Sequence, residues 1–322
     1  MSANGIAHLA TKELRQKAKL DLAATDRAEA GKTRSVYDIT QLPTQYVDNA
    51  VVNNPDEGGL VVGRPWVTFM PISLFASGEK GVWYEPSDIT TLFQDVAGTI
   101  PVTAHGQSVA LMLDKSGNNA HATQSDATKR PTYYEYSDGY GALRFDGTND
   151  FMVTSNINFT GTAKLTSTVG IQVSPTAGAG SRMIVELSAD ASANNGAFFM
   201  TGPSSLTDHS IGLRGTVFIA AHFANVSLDD DCITAQLDIS QATKELELIP
   251  RLNGSVRAVS SWPQGVPSAG TGNFGNHPLY IGSRGGTSVF FKGHMYGIVI
   301  RGAQSTSTEV TNTEAWVTRK LD

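Results

Sequence analysis

Two glutamates in the segment KELELIP, Glu245 and Glu247, have the spacing of a carboxylate pair that could do acid–base chemistry. On an extended strand, side chains two residues apart project from the same face, so the two carboxylates would lie side by side. Glycoside hydrolysis uses two carboxyl groups, of which one is kept protonated and the other ionised. The same pattern is equally typical of a strand that turns one face to solvent.

Other catalytic and metal-binding signatures are absent from the sequence. None of the seven histidines is spaced as His-x-x-x-His, and one cysteine cannot complete a zinc site. There is no Gly-x-Ser-x-Gly elbow, phosphate-binding loop or dinucleotide-binding turn. SRGGTS (283–288) lies between two predicted strands, which indicates a hairpin. Cys232 lies in another predicted strand, where we expect it to be a buried small hydrophobic residue.

Two acidic segments could supply oxygen ligands to calcium. Asp229, Asp230 and Asp231 are consecutive in SLDDDCIT, and DGTND (146–150) offers further carboxylate and amide oxygens. Hard cations bind several such oxygens on loops, although a triplet of like charges in a turn is often only solvated. Calcium at Asp229, Asp230 and Asp231 is the one cofactor that the sequence leaves open.

Aromatic side chains indicate a candidate ligand-binding surface. The segment PTYYEYSDGYG (131–141) places four tyrosines close together, and a tryptophan follows later in the chain. Such rings act both as core filler and as contact surface, so burial or subunit contact is an alternative to sugar binding. The candidate ligand-binding residues are Tyr133, Tyr134, Tyr136, Tyr140 and Trp262.

Composition bounds the class of protein. The chain has 322 residues, of which 40% are hydrophobic and 17% charged, with 32 glycines and a net charge of -6. The negative charge argues against a nucleic-acid partner, because phosphate binding needs a basic face. The first residues lack the apolar stretch of a signal peptide, and no segment is long enough to span a bilayer. We therefore expect synthesis in the cytoplasm and no membrane insertion.

Short apolar segments separated by turn residues follow one another from about residue 67 onward. Examples are TSTVGIQVS, RMIVELS, GAFFMTG and MYGIVIRGA, which have the composition of β-strands. This pattern predicts a mainly β domain, a two-sheet sandwich or jelly roll, over residues 67–322. The last segment, STSTEVTNTEAWVTRKLD, predicts a C-terminal helix that packs Trp316 and Val317 onto the sandwich.

Residues 1–66 predict a helix followed by an extended arm. The helix would begin at Thr11, the N-cap, and end at Gly31, and its narrow apolar stripe is too small to form a core. The arm contains three prolines and no sustained period. We expect it to dock on other subunits, with folding back on its own sandwich as the alternative. The candidate attachment residues are Leu14, Ala18, Leu22, Tyr37 and Tyr46.

Several phrases in order resemble a known family. They are LDKSGNNAHAT (113–123), ALRFDGTNDFM (142–152), PRLNG (250–254), LYIGSRGG (279–286) and FFKGHMYGIVI (290–300). Together they resemble the laminin-G-like, concanavalin A-like sandwich over about residues 80–320. The phrase that opens this region, and YDITQLPTQY in the arm, are similar to virion proteins of tailed bacteriophages. The resemblance implies a jelly-roll fold, a virion location and a binding or scaffolding role.

The resemblance also bears on the two polar segments. In such modules Asp-x-Ser-Gly-Asn is a turn, so we expect DKSGNN (114–119) to be structural. Enzymes of this fold carry a Glu-x-Asp-x-Glu-type run on one strand, whereas KELELIP lacks the aspartate. We therefore expect no enzymatic activity, and a strand edge at Glu245 and Glu247.

The sequence thus favours a homo-oligomeric structural virion protein, anchored to capsid or tail by its N-terminal arm. The sandwich would bind a host-surface glycan or receptor. The alternative is a decoration or assembly protein without a host ligand, and a glycan-cleaving enzyme is less favoured.

Overall fold

The structure is a computed structural model. The chain forms two compact units, residues 1–68 and 69–322. The structure describes residues 51–54, 59–62, 69–136, 139–175, 180–202, 208–224 and 230–321. In the first unit the described part is an antiparallel pair, β1 (Val51–Asn54) and β2 (Gly59–Val62). The predicted attachment residues Leu14, Ala18, Leu22, Tyr37 and Tyr46 lie outside the described residues.

The second unit is a β-sandwich of two sheets, and this confirms the predicted fold class. Sheet I contains β3 (Gly81–Tyr84), β7 (Thr132–Glu135), β8 (Gly141–Asp146), β10 (Lys164–Val173), β15 (Asp230–Asp238), β16 (Leu248–Leu252), β17 (Ser255–Val256) and β19 (Lys292–Arg301). Its strand order is β17-β16-β15-β10-β19-β8-β7, with β3 also paired to β19.

Sheet II contains β4 (Leu92–Phe93), β5 (Leu111–Met112), β6 (Ala122–Thr123), β9 (Met152–Asn158), β11 (Arg182–Leu187), β12 (Ala197–Gly202), β13 (Asp208–Arg214), β14 (Phe218–Ala224) and β18 (Asn276–Ile281). Its order is β14-β13-β12-β11-β18-β9-β6-β5-β4. Short 3₁₀ turns cover Pro71–Phe75, Ile89–Thr91 and Ala127–Lys129. No helix of the described residues is long and apolar enough to cross a membrane.

The main core fills the space between the sheets, and it follows from the two-residue period of the strands. On β12, Phe198 and Met200 point into this core, whereas Phe199 joins a smaller cluster on the outer face of sheet II. All six residues of β12 are buried, because both faces of the strand are covered. The outer face of sheet II therefore carries a packed surface of its own.

The C-terminal helix, α2 (Ser307–Thr318), is confirmed. Thr306 and Glu309 form a capping box at its N-terminus, in which each side chain accepts a hydrogen bond from the backbone of the other. Trp316 and Val317 are 3% and 0% exposed and pack on the outer face of sheet I. Cys232, 1% exposed, lies in the same cluster, as expected for a buried small residue.

The segment DKSGNN is a structural turn, as predicted. The two carboxylate oxygens of Asp114 accept hydrogen bonds from the backbone nitrogens of Trp83, Ser116 and Ala120 at 2.9 to 3.1 Å. Gly117 takes the left-handed conformation, at φ +87°. The turn thereby ties β3 to the segment after β5.

The segment KELE is not a strand, and this prediction was wrong. Lys244–Glu247 forms a single helical turn, α1, and β16 begins only at Leu248. Glu245 is exposed, while Glu247 is 0% exposed and accepts a hydrogen bond from the Ala269 nitrogen at 2.6 Å. Residues two apart on a helix point in nearly opposite directions, so the two glutamates do not share a face.

The edges of both sheets are covered by loops. At the β14 edge the Ala220 nitrogen donates to the Gln264 side chain at 2.7 Å, and His222 pairs with Ser261. At the β7 edge the Tyr133 backbone exchanges hydrogen bonds with residues 106 and 107, and at the β4 edge residues 100–102 play this role. Strand β3 pairs only with β19, and on its other edge the Trp83 carbonyl accepts a hydrogen bond from the Lys115 nitrogen at 2.8 Å. The edge strand β17 has two residues. Such covered or very short edges oppose pairing with other chains.

Helix α2 lies so close to sheet I that glycine is required beneath it. A Cβ at Gly170 would lie 2.5 Å from Val317 Cγ1. We expect Gly170→Ala to lower the free energy of unfolding by about 1–3 kcal/mol, because the packed helix has to move. Urea unfolding followed by tryptophan fluorescence measures this. Gly161→Ala is the matched control, since a Cβ there meets nothing within 4 Å; equal effects of the two changes would contradict the packing account.

Candidate functional site

An open groove of about 360 Å³ crosses the outer face of sheet II over β11 to β14. Four hydroxyl side chains line it, together with Asp208, His222 and Arg284. The hydroxyl residues are Ser181, Ser192, Thr201 and Ser210. Apolar rings lie beside these polar groups, and a mixed lining of this kind is typical of ligand sites.

The floor of the groove is set by strand register. His222, Ser210 and Thr201 lie opposite one another on β14, β13 and β12. In the next row Phe199 lies opposite Gly212, and a Cβ on this glycine would be 2.2 Å from the ring. The missing side chain lets the Phe199 ring lie against the sheet, 5.9 Å from the ring of Phe218.

A β-bulge brings a carboxylate to the groove face. The register of β11 against β12 shifts between Met183 and Val185, so that Ile184 and Val185 both pack into the main core. Glu186 then lies opposite Phe199, on the outer face. Without the extra residue the alternation of the strand would be reversed from this point, because the side-chain period is two.

Glu186 is 0% exposed and forms an ion pair with Arg284, which follows β18. Arg284 Nε donates to Glu186 Oε1 at 3.2 Å and to Oε2 at 3.3 Å, and the Ala191 nitrogen donates to Oε1 at 2.8 Å. Burial raises the pKa of Glu186 to about 7, in spite of the opposing effects of the Ala191 hydrogen bond and the Arg284 charge. The carboxyl therefore titrates near neutral pH.

Backbone strain lies at the groove wall. Val289 has φ +53°, a conformation that β-branched residues rarely adopt. Its carbonyl accepts a hydrogen bond from the Met183 nitrogen at 2.9 Å, and its side chain packs with the apolar cluster of the outer face. Such strain costs about 1–3 kcal/mol and concentrates at functional sites.

Beneath the floor, a buried polar group links the two sheets. His209 of β13 bonds through Nε2 to Asp231 Oδ2 of β15 at 3.0 Å, and its Nδ1 is 3.3 Å from the Thr201 carbonyl oxygen. Asn253 Nδ2 donates to the other oxygen of Asp231 at 3.0 Å.

The positions of Asp230 and Asp231 bear on the calcium site predicted at residues 229–231. Asp230 and Asp231 lie on strand β15 rather than on a loop, so their side chains point to opposite faces. Asp230 Oδ1 accepts a hydrogen bond from the Tyr296 hydroxyl at 2.8 Å on the outer face of sheet I. Asp229 lies outside the described residues. Within the described ranges, no group of three or more His, Cys, Asp or Glu side chains is arranged to hold a metal ion.

The predicted ligand-binding aromatic residues do not form one site. Tyr133 is 3% exposed in the main core, so its ring is not available to a ligand, whereas Tyr140 is 37% exposed. Trp262 packs against the main core elsewhere, with Lys244 Nζ 5.4 Å from its ring. Tyr134 and Tyr136 are together, with ring centroids 4.7 Å apart.

Tyr134 and Tyr136 belong to an aromatic cluster on the outer face of sheet I. The Tyr136 hydroxyl is 2.9 Å from His294 Nδ1 and 2.7 Å from the Tyr296 hydroxyl. Burial and the nearby charge of Arg144 lower the pKa of His294 to about 4, so this ring is neutral at physiological pH. The cluster is a tightly bonded patch, and the groove lies on the other sheet.

Sequence reasoning missed the groove residues. The hairpin predicted for SRGGTS is confirmed, because Arg284 bridges to Ser288, but its role in presenting Arg284 to the groove was not foreseen. Phe199, Phe218 and His222 were interpreted only as strand residues. The one local signal was the charged residue in RMIVELS, where Glu186 is surrounded by apolar residues.

Comparisons with known proteins give a general likeness. No protein-family profile matches the sequence, and no curated protein matches it. Among solved structures, the botulinum neurotoxin serotype G binding domain is similar at 12% identity and a TM-score of 0.47, over 64% of this chain and 48% of that one. Trypanosoma rangeli sialidase is similar at 11% identity and 0.44, over 79% and 39%.

A third structure, the CBM40 domain of a Ruminococcus gnavus sialidase bound to α2,3-sialyllactose, is similar at 13% identity and a TM-score of 0.35. That likeness covers 48% of this chain and 83% of the domain. The chain spans about half the length of the botulinum neurotoxin domains that it matches. At these values the likeness is confined to the β-sandwich arrangement itself.

The raised pKa of Glu186 predicts a pH dependence of stability. The folded state holds this proton up to about pH 7, whereas an unfolded glutamate loses it near 4.5, so stability falls as the pH rises through this window. At pH 8 we expect the free energy of unfolding of Glu186→Gln to exceed that of the wild type by up to about 3 kcal/mol. At pH 4.5 the two free energies should be nearly equal. Urea unfolding at both pH values measures the difference. Glu245→Gln, an exposed control, should show no such trend; a parallel pH profile for Glu186→Gln and wild type would contradict the assignment.

Proposed function

We propose that the sandwich is a glycan-binding domain whose site is the groove on sheet II. The observation that carries this proposal is the lining: hydroxyl, imidazole, carboxylate and guanidinium groups beside the ring of Phe218. Sugars present both hydrogen-bonding hydroxyls and apolar C–H faces, and this combination of polar groups and a ring matches them. The groove is open, so a chain of sugars can lie across it.

We propose further that the protein is a structural virion component of a tailed phage or phage-like particle. The ordered phrases that resemble laminin-G-like virion modules support this role. Residues 1–66, whose predicted apolar stripe is narrow, would attach the protein to the capsid or tail, and exchange of such arms between subunits suits a homo-oligomer. The glycan would then be one on the host surface.

The chemistry of the described carboxylates supports binding without hydrolysis. A glycosidase places two carboxyl groups about 5–9.5 Å apart on either side of the scissile bond. Here Glu245 and Glu247 diverge on a helical turn, and Glu247 is buried. Glu186 is covered and held by Arg284, which leaves Asp208 as the carboxylate that lines the groove.

The glycan site is tested with fluorescently labelled full-length protein on candidate host cells. We expect saturable labelling that free host polysaccharide competes away. Phe218→Ala and His222→Ala should each weaken it about tenfold, because each removes a groove contact. Tyr134→Ala on the opposite sheet and exposed Leu246→Ala are the controls. Loss of labelling with Tyr134→Ala alone would move the site to sheet I, and no labelling with any form would favour a decoration or assembly role.

The anchoring role is tested by deleting residues 1–66. We expect the shortened protein to be missing from purified particles, because the proposed attachment segment is gone. Thermal unfolding should show the same cooperative transition as the full chain, since the two units are compact separately. A shortened, folded protein that still copurifies with particles would refute the anchor assignment.

A further inference from the structure

Arg284 presents an unused part of its guanidinium group in the groove. Its hydrogen bonds to Glu186 are both made by Nε, and among the described residues no partner bonds to Nη1 or Nη2. The side chain is 29% exposed, and its guanidinium carbon lies 5.4 Å from the centroid of the Phe199 ring. A guanidinium group with free N–H groups can bind a planar, bidentate partner.

The bond between Arg284 and Glu186 is long for an ion pair. Charge-assisted N–H···O hydrogen bonds are usually about 2.7–2.9 Å, whereas these two are 3.2 and 3.3 Å. Glu186 Oε2 has no other hydrogen-bond partner among the described residues. The pair is therefore one that a stronger partner for Arg284 can replace, provided that Glu186 is not left as an isolated buried charge.

The groups around Glu186 favour its protonated, neutral form, so that no isolated buried charge is left when Arg284 binds another partner. Asp190 lies in the loop after β11, and its negative charge raises the pKa of Glu186. Asp190 Oδ1 accepts hydrogen bonds from the backbone nitrogen of Ser192 at 2.9 Å and from the Ser192 hydroxyl at 2.6 Å. The strands on either side present the rings of Phe199 and Tyr280 in register with Glu186. A protonated Glu186 removes the buried charge and ends the ion pair of Arg284, while the charge of Asp190 remains near the guanidinium group without an ion pair to it.

We propose that Arg284 recognises an anionic substituent, a carboxylate or a sulfate, on the glycan bound in the groove, and that protonation of Glu186 releases Arg284 for this contact. The inference rests on the proposed glycan site and narrows its ligand to acidic polysaccharides. Glu186 acts as an internal competitor of the ligand, so binding takes up a proton. The other titratable groups that line the groove are Asp208, His209 and His222.

The test uses the full chain and three hexasaccharides, which are hexamers of galacturonic acid, of sulfated galactose and of unsubstituted, neutral galactose. With a Glu186 pKa of about 7, about nine-tenths of the molecules are protonated at pH 6 and about one-tenth at pH 8. We expect roughly tenfold tighter binding of an anionic hexamer at pH 6 than at pH 8, and little pH dependence for the neutral one. Calorimetry at pH 7 in two buffers of different ionisation enthalpy should show proton uptake.

Two variants separate this mechanism from a structural role. Glu186→Gln should bind the anionic hexamer at pH 8 as tightly as the wild type does at pH 6, because the competitor is neutral at every pH. Arg284→Gln should lose the preference for the anionic over the neutral hexamer, and Arg284→Lys should recover only part of it. Thermal unfolding of each variant establishes that it is folded.

The outcomes distinguish the two proposals. Binding of hexamers without preference for charge, or a preference that Arg284→Gln leaves unchanged, would overturn the anion contact while the glycan site stands. A pH dependence that persists in Glu186→Gln would overturn the proton linkage and point to His222. Absence of binding of all three hexamers and of host polysaccharide would overturn both proposals.

Discussion

Strand β19 has hydrogen-bonded strands on both of its edges, and the sandwich is organised around it. β10 pairs along one edge, while β8 and β3 share the other, one after the other. A bulge between Gly170 and Ile171 shifts the register once, so that Met295 and Ile298 both face the main core. The outer face of the same strand carries Gly297, whose missing side chain leaves room for Trp316.

The same device, a bulge in a central strand, produces the chemistry of sheet II. The bulge in β11 reverses the alternation so that Glu186 lies outside the main core, where Arg284 reaches it from the turn after β18. Gly212 then gives Phe199 space to lie flat. The groove is thus built from backbone irregularities as much as from side chains. The charge beneath the groove depends on Glu186, whose carboxyl is too deeply buried to ionise readily.

Local patterns were sufficient for the strands of five or more residues, the C-terminal helix and the DKSGNN turn. These features depend on β-strand composition, on helical spacing and on turn residues, which are all visible within a few positions. The strand prediction for KELE was wrong because tertiary contacts determine the conformation of this segment. The Lys244 nitrogen donates a hydrogen bond to the Pro267 carbonyl, and the Glu247 carboxylate accepts one from the Ala269 nitrogen. A pattern of four residues contains no information about these partners.

The site could not be predicted for a related reason. The tyrosines were grouped because they are close in sequence, but strand alternation sends Tyr133 into the core and Tyr134 to the outer face. The groove residues come from four strands and from loops at residues 181, 192, 263–264 and 284–289, which together span more than 100 positions. Their proximity depends on strand register and on the bulge in β11, which a single sequence does not reveal.

The loops along β14, β7 and β4 have a consequence for how densely this domain can be arrayed. Exposed sheet edges are the usual route by which β-proteins aggregate when they are concentrated. Here the backbone groups at those edges are already bonded to residues of the same chain. On the proposed particle surface, neighbouring sandwiches could therefore stand side by side, and several of the proposed glycan-binding grooves would engage a repeating polymer at once, which raises the avidity of binding.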